Sequence, residues 1–283
     1  VSKIRLGYID YINCLPVYYA IEQGQVPFAA KMIKGPPTKM NEMFINGKLD
    51  ITPISSIEFA RHSEKAVILP EVSISADGAV ESILLFSKVP VTELDGLKVS
   101  LPTSSATSVA LLKILFEHYY HVEVEYSLEE PDLKQMLKES DAALLIGDDA
   151  LLAGEAVRKR GRDSLHITDL GSAWKEFTGH RMTFALWVIN RSFVEAHPEE
   201  VAGISNAFIK AKEYGFANIP ALVDKAHQKT GLPLRVLRKY FNTIRYSFGE
   251  EEQKALLTFY DYAYKSGLIE ERAKLNIWGE EIG

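Results

Sequence analysis

Cysteine is almost missing from this chain: Cys14 is the single one among 283 residues. One thiol forms neither an internal disulfide nor a cysteine-rich zinc site, and it fits a reducing compartment. Long apolar runs are missing too. No stretch reaches the roughly 18 residues that a membrane-spanning helix needs, so no membrane partner is expected. The opening segment, Val1 to Gly7, has no apolar core of a secretory leader, which adds to the expectation of a cytoplasmic protein. Basic charge is in deficit: Lys and Arg number 32 against 38 Asp and Glu, and the net charge of −6 offers nucleic acid no overall basic field. The seven histidines are scattered, with no His-Glu-x-x-His pair, no paired metal spacing and no nucleophile elbow. No metal and no cofactor are expected. A core is not lacking: 47% of the chain is apolar and 25% charged, and this length buries a full core without staples.

Short apolar runs alternate with helical patterns through the first two thirds. Ile4 to Ile9 reads as a buried strand, Pro16 to Gln23 as a short helix and Phe28 to Ile33 as a second strand. Pro36-Pro37-Thr38 reads as a stop followed by a Thr38 cap, with Met40, Met43 and Phe44 at helical spacing and Gly47 ending the helix. Leu49 to Ile54 reads as a strand broken by Pro53, and Ala79 to Phe86 as a longer strand. Val89-Pro90 and Asp95-Gly96 punctuate the chain before a second unit. There Leu97 to Leu101 is a strand, Pro102 to Ser105 a turn, and Val109, Leu112, Phe116 and Tyr119 the stripe of a helix. Val122 to Tyr126, Ala142 to Ile146, His166 to Leu170 and Phe184 to Ile189 are further strands. After His197 only helices follow, opening at Pro198, Pro220, Pro233 and Glu250, with Gly231 and Gly267 at C-terminal caps.

This alternation predicts an α/β architecture with mainly parallel strands. The simplest assembly has two lobes joined by a hinge. Residues 1–88 with 190–283 form the first lobe and residues 92–186 the second. The chain crosses between them near 88–92 and 186–191, and a ligand cleft lies between the lobes.

Five polar turns carry the candidate chemistry. Tyr11 and Asn13 stand between a strand and a helix, where open α/β sheets bind ligands. Asn13 either contacts a ligand or caps the helix that Pro16 begins. Cys14 beside it reads as a packed small residue rather than a nucleophile. Ser55 and Ser56 follow a strand, as a helix cap, an anion contact or both. Ser104, Ser105, Thr107 and Ser108 place four hydroxyls at a helix start, where capping needs only one; the excess favours a carboxylate cradle. Gly147 permits close backbone approach, and Asp148 beside it caps a helix by default, or orients a hydroxyl, or serves as a base. Ser82, inside the strand Ala79–Phe86, is either a satisfied core serine or a hydroxyl facing the cleft. Trp174 and Phe177 fit a pocket wall or the core, and His118 and His121 read as solvated.

In order and spacing, these segments resemble one family. The motifs are Y-I-N-C-L-P from Tyr11 to Pro16, G-x-L-D-I-x-P-x-S-S from Gly47 to Ser56, and G-A-V-x-S from Gly78 to Ser82. S-A-T-S from Ser105, I-G-D-x-A-L from Ile146, D-L-G-x-x-W from Asp169, T-G at Thr178 and F-A-L-W from Phe184 extend the match. Over residues 3–190 the chain resembles the chorismate dehydratases of the futalosine route to menaquinone. The resemblance implies a fold similar to type II periplasmic binding proteins, without transport. It implies removal of water from chorismate to give 3-[(1-carboxyvinyl)oxy]benzoate, with a small carboxylate as partner and no cofactor. Asn13 and Ser82 would then contact the reacting region. Tyr11, Ser55, Ser56, Ser105, Thr107, Ser108, Gly147 and Asp148 would bind substrate.

A sister family of the same route makes 1,4-dihydroxy-6-naphthoate. It carries an S-P-C-P-N-D-T-F-like stretch near its first strand, where this chain has Tyr11 to Pro16. In chorismate, the hydrogen on the ring carbon bearing the enolpyruvyl ether is acidic by vinylogy with the ring carboxylate. Its loss gives an extended enolate, and departure of the neighbouring hydroxyl leaves an aromatic ring. Such a reaction asks for donors that hold two carboxylates and the enolate. No protein base stands out, so the substrate's own side-chain carboxylate is the expected proton acceptor. From another class, a solute-binding protein for a small carboxylate would use the same fold and the same turns.

Overall fold

The computed structural model describes residues 4–161 and 165–280; the first three residues of the opening segment lie outside them. Among the described residues there are ten strands: β1 Ile4–Tyr8, β2 Ala30–Lys34, β3 Ile51–Ser55, β4 Ala66–Ala76, β5 Ile83–Ser87, β6 Lys98–Pro102, β7 Glu125–Glu129, β8 Ala142–Ile146, β9 His166–Asp169 and β10 Met182–Asn190. They form two five-stranded sheets, ordered β2-β1-β3-β10-β4 and β7-β6-β8-β5-β9. Between the strands run helices α1 Leu15–Glu22, α2 Pro37–Ile45, α3 Ser56–Arg61, α4 Thr107–Leu115, α5 Leu133–Glu139, α6 Gly147–Arg160 and α7 Leu170–Thr178. The C-terminal third is helical: α8 Arg191–Ala196, α9 Pro198–Ala217, α10 Ile219–Thr230, α11 Leu234–Thr243 and α12 Glu250–Lys265.

Each sheet is mixed, which corrects the expectation of mainly parallel strands. β1 runs parallel to β2 and β3, but β10 is antiparallel to β3 and β4. Likewise β6 runs parallel to β7 and β8, while β5 is antiparallel to β8 and β9. Both antiparallel strands occupy inner positions and are apolar on both faces. In β5, Leu84 and Phe86 join a small cluster with Met136, Leu145 and Val157, while Ile83 and Leu85 face the main core. Its pairing with β8 and β9 places β5 in the second sheet rather than the first. The chain therefore crosses between the sheets at 77–82 and returns at 170–181, earlier at both places than expected at 88–92 and 186–191.

Two local expectations also change. Pro36 is the N-cap of α2, and Thr38 lies inside the helix without a capping bond. Ser82 lies not within a strand but in the turn before β5. This turn is held from a distance. The Asp169 carboxylate accepts the N–H groups of Val80 at 3.1 Å and Glu81 at 2.7 Å, and also those of Gly171 and Ser172 at 2.9 and 3.0 Å. Glu81 adopts φ +64°, a left-handed conformation that the carboxylate stabilises. The C-terminal helices complete the first half: α9 packs on α1 and β4, and α12 on β10 and α3. No helix of the described residues is long and apolar enough to cross a membrane.

Candidate active site

Between the two sheets lies a small cavity lined by residues of both. Its walls come from both halves. Ile9, Tyr11, Asn13, Pro53 and Ser55 enter from the first sheet, and Ser82, Ser105, Thr107, Ser108 and Gly147 from the second. Eight of the ten residues singled out by sequence thus meet in one hollow. Ile54, Ile74, Val80, Ile146 and Phe184 add apolar wall.

Helix starts converge here. The first turns of α2, α4 and α6 reach the lining through Pro37, Thr107 and Gly147, and Ser55 precedes the short α3. The N-cap of α4, Ala106, gives no side-chain cap and no acidic residue stands in the first turn, where Ser105 Oγ accepts the Ser108 N–H, so no negative charge opposes the partial positive charge of this helix start at the cavity. Gly147 has φ +58°, and a Cβ there would stand 3.1 Å from the ring of Tyr11. Glycine is therefore required both by the backbone and by the aromatic ring packed against it.

Four of the cavity hydroxyls already accept a bond from the protein. Ser55 Oγ accepts from Asn41 Nδ2 at 3.1 Å, and the Asn41 amide is oriented by its own bond from Ser55 N. Thr107 Oγ1 accepts from Ile57 N at 3.2 Å, Ser105 Oγ from Ser108 N at 3.3 Å and Ser82 Oγ from Tyr240 Oη at 3.0 Å. A hydroxyl carries one proton. One lone pair of each is engaged, which leaves the proton and the second lone pair for a ligand, although the Ser82 hydroxyl also reaches Val80 O at 3.4 Å. The side chain of Asn13 is likewise unspent: Oδ1 is buried and without a partner. Nor does Asn13 cap the following helix, whose N-cap is Cys14 with no side-chain capping bond.

Two expected members stand apart. Ser56 is fully buried and donates its hydroxyl to Thr183 O at 2.7 Å, so it serves the fold rather than the cavity. Asp148 lies beneath the lining. Its Oδ1 accepts from Ile12 N at 3.0 Å and its Oδ2 meets Lys229 Nζ at 3.0 Å. It braces the 3₁₀ turn Ile12–Cys14 that carries Asn13. Burial raises the Asp148 carboxyl above the usual range, against the pull of Ile12 N and Lys229. Trp174 and Phe177 belong to the core: Trp174 is fully buried and both pack against Tyr262.

No Lys, Arg, His, Asp or Glu lines the cavity among the described residues. Its ionisable groups are Tyr11 and Cys14, and burial pushes both upward, so both stay protonated at neutral pH. The surface is one of neutral donors and helix dipoles.

Two supporting residues escaped the sequence reading. Tyr240 of α11 reaches Ser82, and Tyr246 Oη donates to Asn13 O at 2.8 Å. Both are nearly inaccessible to solvent. A tyrosine on the apolar stripe of a helix, as Tyr240 is with Leu237 and Phe241, is the available signal, since a buried phenol needs a partner.

Compared with known families, the profile described as Menaquinone biosynthesis matches residues 4–265. The chain belongs to that family. A chorismate dehydratase of Thermus thermophilus is 26% identical over 264 residues, 90% of this chain and 93% of the relative. A 1,4-dihydroxy-6-naphthoate synthase of the same organism is 24% identical, over 94% of this chain and 96% of its own length. Among solved structures, the periplasmic aliphatic sulphonate binding protein of Escherichia coli superposes with a TM-score of 0.70 at 14% identity, covering 99% of this chain and 93% of that one. The fold is thus the two-lobed α/β fold of periplasmic binding proteins, as the motifs implied.

Proposed function

We propose that this protein is a chorismate dehydratase, a hydro-lyase that removes water from chorismate to give 3-[(1-carboxyvinyl)oxy]benzoate. One observation carries the reading. The cavity holds an array of hydroxyl donors and helix starts with no charged side chain among them, which suits a dicarboxylate ring whose charge moves during turnover. The α4 turn, with Ser105, Thr107 and Ser108, grips one carboxylate. Asn13 and Ser82 face the reacting carbons from opposite halves.

Proton removal needs a base, and the lining supplies none that is ionised near pH 7. The side-chain carboxylate of the substrate takes the ring proton, and the electrons pass into the vinylogous ring carboxylate. The neighbouring C–O bond then breaks. The departing hydroxide regains the proton as water, so a dianion becomes an aromatic dianion plus water. Enclosure between the two halves keeps solvent from the enolate.

The Tyr11–Pro16 stretch favours this reaction over that of the naphthoate synthase relative. Purified protein incubated with chorismate is expected to abolish the diene absorbance and to yield one aromatic product by NMR. Binding of chorismate without turnover would instead support a solute-binding role, and turnover absent on chorismate alone would bring the sister activity forward.

A further inference from the structure

The hydroxyl of Ser82 differs from those of Ser55, Ser105 and Thr107. Ser55, Thr107 and Ser105 accept from N–H groups, which can only donate. Ser82 faces a second hydroxyl, that of Tyr240, so the direction of this bond decides what Ser82 offers a ligand. Tyr240 is 1% exposed and does not line the cavity. Ser82 Oγ is the partner of its hydroxyl among the described residues. Were Ser82 the donor, the phenol proton would be buried without an acceptor, a state that folded proteins rarely tolerate. The bond therefore runs from Tyr240 to Ser82. The Ser82 proton then has two outlets. One is Val80 O at 3.4 Å, at the far edge of hydrogen-bond range. The other is the cavity, where a ligand oxygen can approach to about 2.8 Å.

We propose that Tyr240 is a positioning residue that fixes Ser82 as a donor into the cavity, aimed at a ligand oxygen on which negative charge grows during turnover. The C-terminal helices thereby set the polarity of a site built by the two sheets. For its kinetic consequences the proposal rests on the dehydratase reading.

Tyr240→Phe removes one oxygen and keeps the ring. In the full chain with chorismate, kcat is expected to fall about tenfold or more, while KM moves less than about threefold. In a Ser82→Ala background the same substitution should cost nothing further, because no hydroxyl is left to orient. Tyr18→Phe supplies the control for losing a buried tyrosine hydroxyl, since Tyr18 donates to Gly7 O at 2.7 Å within the core. Its thermal midpoint should drop as that of Tyr240→Phe does, with kcat retained. Wild-type kcat in Tyr240→Phe, or a loss that adds in full to that of Ser82→Ala, overturns the proposal. Should the wild type leave chorismate intact, the dehydratase reading fails instead. Tyr240 is then judged by calorimetry with 3-(carboxymethoxy)benzoate. Tyr240→Phe should weaken its binding about threefold, and not in the Ser82→Ala background; equal affinity of Tyr240→Phe and wild type overturns the proposal.

Discussion

Asn13 is held by its backbone and left open at its side chain. Tyr246 grips its carbonyl, Asp148 grips the N–H one residue earlier, and the amide oxygen is buried without a partner. A fixed amide with unspent donors and acceptor is costly to keep unless a ligand completes it. Asn13→Ala is therefore expected to lower kcat/KM about a hundredfold or more, with a thermal midpoint within a few degrees of wild type. Unchanged kcat/KM would remove Asn13 from the chemistry. The pH profile tests the absence of a protein base. Tyr11 and Cys14 are both pushed up by burial, so neither gains charge as pH rises through neutrality. From about pH 6.5 to 9, kcat/KM should stay flat; a bell with an arm near 7 would point to a titrating protein group. Much of this site was legible in sequence because the hydroxyl turns of Ser55 and of Ser105 to Ser108 stand between a strand and a helix. Tyr240 and Tyr246 were not. Their partners lie 158 and 233 positions away, a distance that no local pattern spans.

At the level of elements, the turn that carries Ser82 depends on Asp169. One carboxylate serves two ends: it caps α7 through Gly171 and Ser172 and holds the Val80–Glu81 turn. Gly171 lets these pieces meet, since a Cβ there would collide with the Gly78 carbonyl oxygen. Asp169→Ala removes the acceptor for several N–H groups at once. A loss of about 2–3 kcal/mol of stability in urea titration is expected, with kcat/KM falling because Ser82 is no longer placed. Retained stability would show that solvent replaces the carboxylate. The same element shows where local patterns stop. Ser82 reads as strand because apolar residues follow it. Yet the backbone there is decided by Asp169, which lies 89 positions beyond Val80 and 88 beyond Glu81. β4 went unread as a strand because Pro70 and Glu71, the latter at φ +62°, interrupt it. The directions of β5 and β10 were also hidden: a run buried on both faces carries period but no sense of parallel or antiparallel. The terminal helices, by contrast, were marked by their prolines and glycines.

Across the whole molecule, charge bridges the two halves outside the cavity. Lys229 of α10 meets Asp148 of α6, Arg235 of α11 meets Glu155 of α6, and Lys239 with Arg158 meets Glu81 in the crossing segment. Arg235 and Lys239 are more than two-thirds exposed, so their pairs count for little in water. The Lys229 pair is more sheltered, with Asp148 at 13%. It joins a C-terminal helix to the start of α6, beside Gly147, and so favours the arrangement in which the halves meet over a ligand. Lys229→Met is expected to raise KM about tenfold while kcat changes less, since the cavity donors remain but closure is less favoured. Salt supplies the discriminating measurement. Ionic strength weakens the Lys229 bridge in the wild type, and the variant has no such bridge to weaken. KM should therefore rise more steeply with salt in wild type than in Lys229→Met. Parallel salt slopes would mean that Lys229 only stabilises the fold around Asp148, and that closure is set by the cavity itself.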